Sequence, residues 1–372
     1  MKYNYDAIVI GDDLLSINLA FELSKNNNNK ILLIKKGFLS DTITLEDNAL
    51  IMPIVQKKSK LNMQLIKDSI DIFCNLQEYL STDKECKYTK TGAIVLADDD
   101  EGCNNVSYNL SCSGLSHKEI DLEYDIYEFF PNINISGCKK AFYLPDYGHI
   151  SMHSCFYAYL EALQRNNVTI SAKTTISEFI IENNEIKGVH TDKGSFYATV
   201  VYNLSVNAVL LAEKTDDVLP FKTVLYQSLL TVPINQYHIK PAIFSTSRQF
   251  FIHMDDCNRI RLGSSKKISI EKNSFTEPNF DYLVGSCVAA TELMPELGDF
   301  DILKHNVGTA IMANDEAPVI FFSQKAKGLV HVCGFTQHGI LIIPRLAKLI
   351  ANYHYKVSDN INISDYCSNR FQ

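Results

Sequence analysis

The sequence predicts an α/β protein, α+β overall, in which a mainly parallel, helix-covered sheet is joined to a second unit built on an antiparallel sheet. Three observations predict it. Residues 6–10 (DAIVI) and 30–35 (KILLIK) are continuous apolar runs, the pattern of strands covered on both faces by helices, and between them Leu14, Ile17, Phe21 and Leu15, Leu19, Leu23 recur at helical spacing. Residues 222–285 break into short β-rich stretches (TVLYQSLLTV, AIFST, QFFIHM, IRLGS) separated by turns, as an antiparallel sheet requires. Near the C-terminus, residues 318–322 and 328–334 read as strands, and the second runs into a helix from Ile340 to Tyr353 carrying Ile343, Leu346, Leu349 and Ile350.

The remaining elements follow in order. Met63, Ile66, Ile70, Phe73 and Leu80 make a long amphipathic helix of residues 61–80. Residues 92–97 (GAIVLA) read as a strand, and the acidic, polar stretch after it as a loop to about residue 118. Ser151 caps a helix carrying Phe156, Leu160 and Leu163 that stops at Asn166–Asn167. Strands at 176–182, 185–191 and 195–203, separated by Asn183–Asn184 and by Asp192–Lys193–Gly194, form a meander. The parallel unit is therefore assigned residues 1–85, 140–222 and 305–372, and the substrate or cap unit residues 86–139 and 223–304.

Bulk properties exclude several classes. With 372 residues, 46% hydrophobic and 21% charged, the chain is far from the composition of disorder. A net charge of -8 argues against a nucleic-acid partner, and KKSK at 57–60 and KK at 266–267 read as solvated loops. No run approaches the roughly 20 apolar residues of a membrane span, and the N-terminus lacks a secretory pattern. Ten scattered cysteines with no C-x-x-C pair and no histidines at ligand spacing predict reduced thiols, no metal and a cytoplasmic location.

The chemistry is expected where the first strand turns into the first helix. A strand ending at Gly11 and passing straight into a helix aims backbone N–H groups and a helix dipole at a dinucleotide pyrophosphate, making the unit a Rossmann-like FAD/NAD(P)-binding domain. The G-x-G-x-x-G fingerprint reads Gly11-Asp12-Asp13-Leu14-Leu15-Ser16 here. Gly11 supplies the tight turn and Ser16 is small enough for close helix packing. Asp13 stands where the backbone must approach the phosphates, and like charges about 4 Å apart repel by roughly 4 kcal/mol at an effective dielectric near 20. The acid expected at the end of the second strand, which accepts from ribose hydroxyls, is Lys35, followed by Lys36. A cation there suits a 2′-phosphate, or is a surface lysine.

On these residues, and on the order of elements over nearly the whole chain, the sequence resembles the D-amino acid oxidase, glycine oxidase and sarcosine oxidase group of FAD-dependent oxidoreductases. Gly328-Leu-Val-His-Val-Cys-Gly334-Phe-Thr-Gln-His338-Gly339-Ile340 is similar to the family's final strand, glycine turn and helix, and Asn314-Asp315-Glu-Ala-Pro318-Val-Ile320 to its T-P-D-x-x-P-x-I stretch. The resemblance implies that Gly334, Phe335, Thr336, His338, Gly339 and Ile340 face the flavin, with the Gly339 and Ile340 amides stabilising charge on the reduced ring. It also implies cofactor-facing roles for Ile176 and Ser205. Departures fall at Ala310 in place of an arginine, at Leu204-Ser205 in place of A-A-G, and at residues 41–46 in place of a Gly- and Ser-rich segment. For catalysis it leaves Tyr147, Arg261 and His338 as candidates, with Tyr143 and Arg248 beside them.

The resemblance implies an FAD-dependent oxidase or dehydrogenase that passes a hydride from a small amine or amino acid to flavin. Two other readings stay open: a non-catalytic descendant kept as a subunit or scaffold for a protein partner, and an NADP-using reductase resting on Lys35 and Lys36.

Overall fold

The computed structural model describes residues 3–26, 28–38, 49–50, 60–86, 88–113, 115–204, 211–212, 215, 217, 221–264, 268–270, 279–334 and 339–371. From the N-terminus these comprise β1 (Tyr3–Ile10), α1 (Leu14–Ser24), β2 (Ile31–Ile34), β3 (Ala49–Leu50), α2 (Lys60–Cys74), α3 (Leu76–Leu80), β4 (Tyr88–Lys90), β5 (Ala93–Ala97), α4 (Asp100–Ser113), β6 (Lys118–Ile120), α5 (Asp125–Phe129), β7 (Lys140–Leu144), β8 (Gly148–Ile150) and α6 (Met152–Arg165). They continue as β9 (Thr169–Ser171), β10 (Ile176–Glu182), β11 (Glu185–Thr191), β12 (Gly194–Asn203), β13 (Phe221–Thr231), β14 (Ala242–Ser245), β15 (Phe250–Met254), β16 (Ile260–Ser264) and β17 (Ile268–Ile270). The last are α7 (Phe280–Leu293), β18 (Ile302–Ala313), β19 (Val319–Phe322), β20 (Leu329–Cys333) and α8 (Ile343–His354).

The apolar runs of β1 and β2 pair in parallel at the centre of an eight-stranded sheet. β9 lies beyond β2, while β12 runs parallel to β1 on its other side. The far edge of β12 is shared by the antiparallel β11–β10 meander and by β20, which is parallel to β12 and carries β19. Alternate residues of β1 and β2 go to opposite faces, as strand geometry dictates. Ala7, Val9, Ile31 and Leu33 join the core formed with α1, α2, α6 and α8. Ile8, Ile10, Leu32 and Ile34 pack against Phe179, Ile186 and Val189 of the meander, with Leu211 beside them, so among the described residues the second face is covered mainly by strands.

The second sheet has nine strands in the order β17-β13-β16-β15-β14-β5-β7-β6, with β18 running along β13 for its whole length. Its pairings are antiparallel apart from β14 with β5. One face (Ile94, Ile243, Phe250, Ile252, Ile260) is covered by Ala290 and Leu293 of α7. The other face sends Ala93, Val95, Phe142, Leu144 and Phe244 into the helix core of the first unit, so the two sheets share one interior.

Several local expectations change. Residues 100–113, read as a loop, form α4, because Asp99 Oδ1 accepts from Gly102 N at 2.6 Å and Cys103, Val106 and Leu110 make a buried stripe; its Asn and Ser residues, poor helix formers, hide that stripe. Helix 61–80 is broken at Asn75 into α2 and α3. α7 occupies the end of a stretch read as all strand, capped by Asn279 Oδ1 on Tyr282 N at 3.1 Å. β7 and β18 through Ala313 belong to the antiparallel sheet, inside segments that sequence spacing gave to the parallel unit. The spacing shows that a strand exists, while its partner is set by long-range register.

Candidate functional site

Gly11 leaves β1 with its N–H donating to Ile34 O at 3.1 Å, and the chain turns directly into α1. A Cβ on Gly11 would stand 2.7 Å from Ser16 Cβ, which explains why the turn needs glycine and a small residue five positions later. Leu14, Leu15 and Ser16 are fully buried beneath it.

Asp13 is the N-cap of α1. Its Oδ1 accepts from Ser16 N at 2.9 Å, and Ser16 Oγ donates to its carbonyl at 2.7 Å. The carboxylate thus takes a backbone donor of the kind a phosphate would otherwise use. Burial raises its pKa to about 6 against the opposing pull of the Ser16 amide and of Lys35.

Lys35 is no surface lysine: it is 0% exposed, with Nζ donating to Asp12 O at 3.0 Å and 3.9 Å from Asp12 Oδ1. Asp12 Oδ1 also accepts from Gly37 N at 3.2 Å. The acid of the usual pattern has become a lysine that faces Asp12, the variable position next to the Asp13 that replaces the second glycine. Lys36 is exposed, and Ile176 packs against the meander core at the start of β10.

The C-terminal turn stands beside this one. Ile10 is in register with Asn203 of β12, and Asn203 with His331 of β20. Gly11 and Leu204 therefore lie level at the carboxyl ends of β1 and β12, and Gly334 ends the adjacent parallel β20 two residues further along. Gly334 has φ +85°, a conformation that favours glycine, and a Cβ there would meet Phe221 at 3.1 Å. Behind the strand ends, Asn203 Nδ2 and His331 Nδ1 are 3.0 Å apart, and His331 Nε2 is 3.3 Å from Asp217 Oδ2, all buried. Asp217 is desolvated, yet the hydrogen bonds from His331, Ser323 and Thr215 hold its pKa below the usual carboxylate value.

Ser205, Phe335, Thr336 and His338 lie outside the described residues. Gly339 begins a short 3-10 turn (Gly339–Leu341), and Ile340 packs against the helix core. The long helix expected from Ile340 starts instead at Ile343, because Pro344, lacking an N–H, suits a first turn. The Arg345 amide in that turn donates to Ser69 Oγ at 3.2 Å, and its guanidinium pairs with Asp68 (2.9 Å) and Asp359. α8 is therefore anchored on α2 by its own N-terminus.

Register places the sheet-face candidates. Leu230, Arg261 and His253 are directly opposed across β13, β16 and β15, and Ser228 lies one pleat further on the same face. This is the face that carries Phe244 and Phe251 into the shared interior. Arg261 is 6% exposed and its Nη1 donates to Ser228 Oγ at 3.1 Å. His253 is 2% exposed, and burial together with Arg261 and His149 pushes its pKa down to about 3. His149 contacts Asp256 through Nε2 at 2.7 Å. Tyr226, two pleats along β13, lays its ring over Gly308, where a Cβ would meet it at 2.3 Å. Ala310 is opposite Val224 on this same face.

Tyr147 is buried in the helix core, its hydroxyl pKa raised by burial and by Asp146. Tyr143 is opposite Ile94 and faces α7, against Phe129, and Arg248 is held by Asp98 (3.4 Å) and Ser136 O (2.9 Å). Sequence reading missed His253, His331 and Ser228. None of the three carries a local signal: in QFFIHM the alternation puts Phe250, Ile252 and Met254 on one face and His253 with Gln249 on the other.

Among the described residues no group of His, Cys, Asp and Glu could hold a metal, and no helix is long and apolar enough to cross a membrane. The family model for FAD-dependent oxidoreductases (DAO) matches residues 6–353. The L-proline dehydrogenase of P. horikoshii superposes with a TM-score of 0.88 at 22% identity, covering 100% of this chain and 98% of that one. Glycine oxidase from Geobacillus kaustophilus gives 0.84 at 16%, covering 98% of each. At such identities the likeness establishes the fold.

The D-amino acid dehydrogenase of Helicobacter pylori is 22% identical over 227 residues, 60% of this chain and 53% of that protein. The mouse mitochondrial pyruvate dehydrogenase phosphatase regulatory subunit is 23% identical over 190 residues, 50% of this chain and 21% of that protein. The chain spans about half the length, or less, of these curated relatives. Because the family match runs from Asp6 in β1 to Tyr353 in α8, taking in both sheets and both glycine turns, the chain belongs to the FAD-dependent oxidoreductase family.

Proposed function

We propose that the chain is an FAD-dependent oxidase or dehydrogenase acting on a small amine or amino acid. The observation that carries this reading is the pair of glycine turns, at Gly11 and Gly334, at the ends of the two parallel strands that flank β12, where open α/β sheets bind their ligands. The residues fit a dinucleotide: a Cβ would fill the turn at Gly11, and Gly334 adopts a conformation few other residues tolerate.

The first turn of α1 would hold the diphosphate, with Leu14 and Leu15 packed beneath it, and Gly334, Gly339 and Ile340 would border the flavin ring. When bound, FAD supplies a two-electron acceptor that takes the hydride from the substrate α-carbon and leaves an imine. The chain's own part is to bind and orient. β13 begins beside Gly334 at Phe221, and its inward residues Val224, Tyr226 and Ser228 lead to Arg261. Arg261 offers a guanidinium to a substrate carboxylate, Tyr226 and Ser228 line the approach, and neutral His253 beside it adds no second cation.

The test is the visible spectrum of the purified protein, followed by titration with FAD and assay of imine formation from amino acids and secondary amines. Flavin absorbance near stoichiometric occupancy, with its bleaching by an amine under anaerobic conditions, is expected. A protein that stays colourless in excess FAD removes the reading and favours the scaffold alternative.

A further inference from the structure

The Asp13 carboxylate sits where the strand–turn–helix geometry places a cofactor's diphosphate, and this has a consequence for how the cofactor binds. Its Oδ1 holds the Ser16 amide at 2.9 Å, the Gly11 turn is too tight to widen without moving Ser16, and Lys35 is buried on the other side with its ammonium at Asp12. A diphosphate brings two negative charges to the same donors, and an ionised carboxylate within a few ångströms repels them strongly in a partly buried site.

We propose that this chain binds FAD with uptake of one proton at Asp13, so that the carboxyl is neutral in the complex and yields the helix N-terminus to the diphosphate. The proposal rests on the FAD reading above and goes beyond it, since nothing in the fold requires cofactor binding to be proton-linked.

The charged groups that face Asp13 among the described residues are few. Lys35 comes from the end of β2 and Asp12 from the turn itself. The end of β12 contributes Asn203 and Leu204, uncharged, and the nearest acid along α1, Glu22, is paired with Lys25 at 2.9 Å. Lys35 favours the ionised carboxylate and Asp12 opposes it, but desolvation outweighs both and raises the pKa to about 6. Neutralising Asp13 is therefore cheap just above pH 6. The sign follows: below pH 6 the carboxyl already carries its proton and affinity is flat. Above pH 6 each unit costs about tenfold in affinity, until the pKa of the complex is reached.

The experiment is titration of the apo-protein with FAD between pH 5 and 8 at constant ionic strength, followed by quenching of flavin fluorescence. It is paired with calorimetry at pH 7 in two buffers of different ionisation enthalpy, which counts protons directly. The dissociation constant is expected to rise about 50-fold from pH 6 to pH 8, with close to one proton taken up at pH 7. Asp13→Asn keeps the cap, since Asn serves there as well as Asp, and is expected to bind tightly at every pH with no proton uptake; Asp12→Asn is expected to keep the slope. Wild-type binding that is independent of pH, or a slope that survives in Asp13→Asn, overturns the proposal and leaves the flavoenzyme reading standing. FAD binding by neither wild type nor Asp13→Asn at any pH overturns both.

Discussion

The turn at Gly11 and the sheet face at Arg261 are both buried and both charged, yet they balance that charge in opposite ways. At the turn, Asp12 and Asp13 lie within a few ångströms of the single ammonium of Lys35. On the sheet face an arginine and a histidine are directly opposed, and the histidine is kept neutral by burial and by the arginine. With two carboxylates to one ammonium the turn resists an incoming anion, whereas the sheet face presents an arginine beside a histidine held neutral. The backbone requirements of a dinucleotide site are thus kept, at Gly11 and Gly334, while the side-chain requirements have been reassigned.

The largest expected effect tests the balance at the turn. Lys35→Met removes the buried cation and leaves two carboxylates facing each other, so it is expected to cost about 3 kcal/mol in chemical unfolding. If it costs nothing, the lysine is not a counter-ion and the comparison breaks. Gly11→Ala comes next. The added Cβ meets Ser16 Cβ at 2.7 Å, a clash expected to cost about 2 kcal/mol. Ser16→Gly in the same chain should recover about half of that loss, since glycine carries its own helix penalty; failure to recover would place the strain elsewhere.

The sheet face has its own signature. His253 is neutral in the fold with a pKa of about 3 against an unfolded value near 6.5, so its contribution is present above pH 6.5 and is lost as pH falls toward 3. His253→Phe, which keeps the stacking on Phe251, should remove this acid sensitivity. At pH 5 the variant is expected to be more stable than wild type by about 2 kcal/mol relative to their difference at pH 7.5. Equal pH profiles would mean that His253 has a proton acceptor in the fold.

What was legible in the sequence divides along the same line. Continuous apolar runs announced β1 and β2, and Asn-rich turns announced the meander, because both signals are local. The position of Gly11 announced a tight turn. That Lys35 folds back onto Asp12, that Arg345 ties α8 to Asp68 and Asp359, and that β18 pairs with β13 and not with β19 are contacts across long sequence separations, which no window of neighbouring residues encodes. α4 was hidden for another reason: its polar residues have low helix propensity, and tertiary burial of Cys103, Val106 and Leu110 overrides it.

The smallest effect sharpens the comparison most, because its pH dependence runs opposite to that of His253. Burial raises the pKa of Asp13 from an unfolded value near 3.8 to about 6, so the fold prefers the protonated carboxyl. Below pH 3.8 the group is neutral in both states and costs nothing. Between pH 3.8 and 6 the unfolded chain ionises first, and wild type loses stability as pH rises; above 6 the loss is constant. Asp13→Asn keeps the hydrogen bond to Ser16 without the charge, so its advantage over wild type should open across that window to on the order of 1 kcal/mol, discounted for partial exposure, and stay level to pH 8. Unfolding midpoints at pH 4, 5, 6 and 7 measure it. An advantage that instead grows toward acid would mean the carboxylate is stabilised by Lys35 more than burial penalises it. The turn would then favour its ionised form in the fold, and proton-linked binding of the cofactor would lose its physical basis.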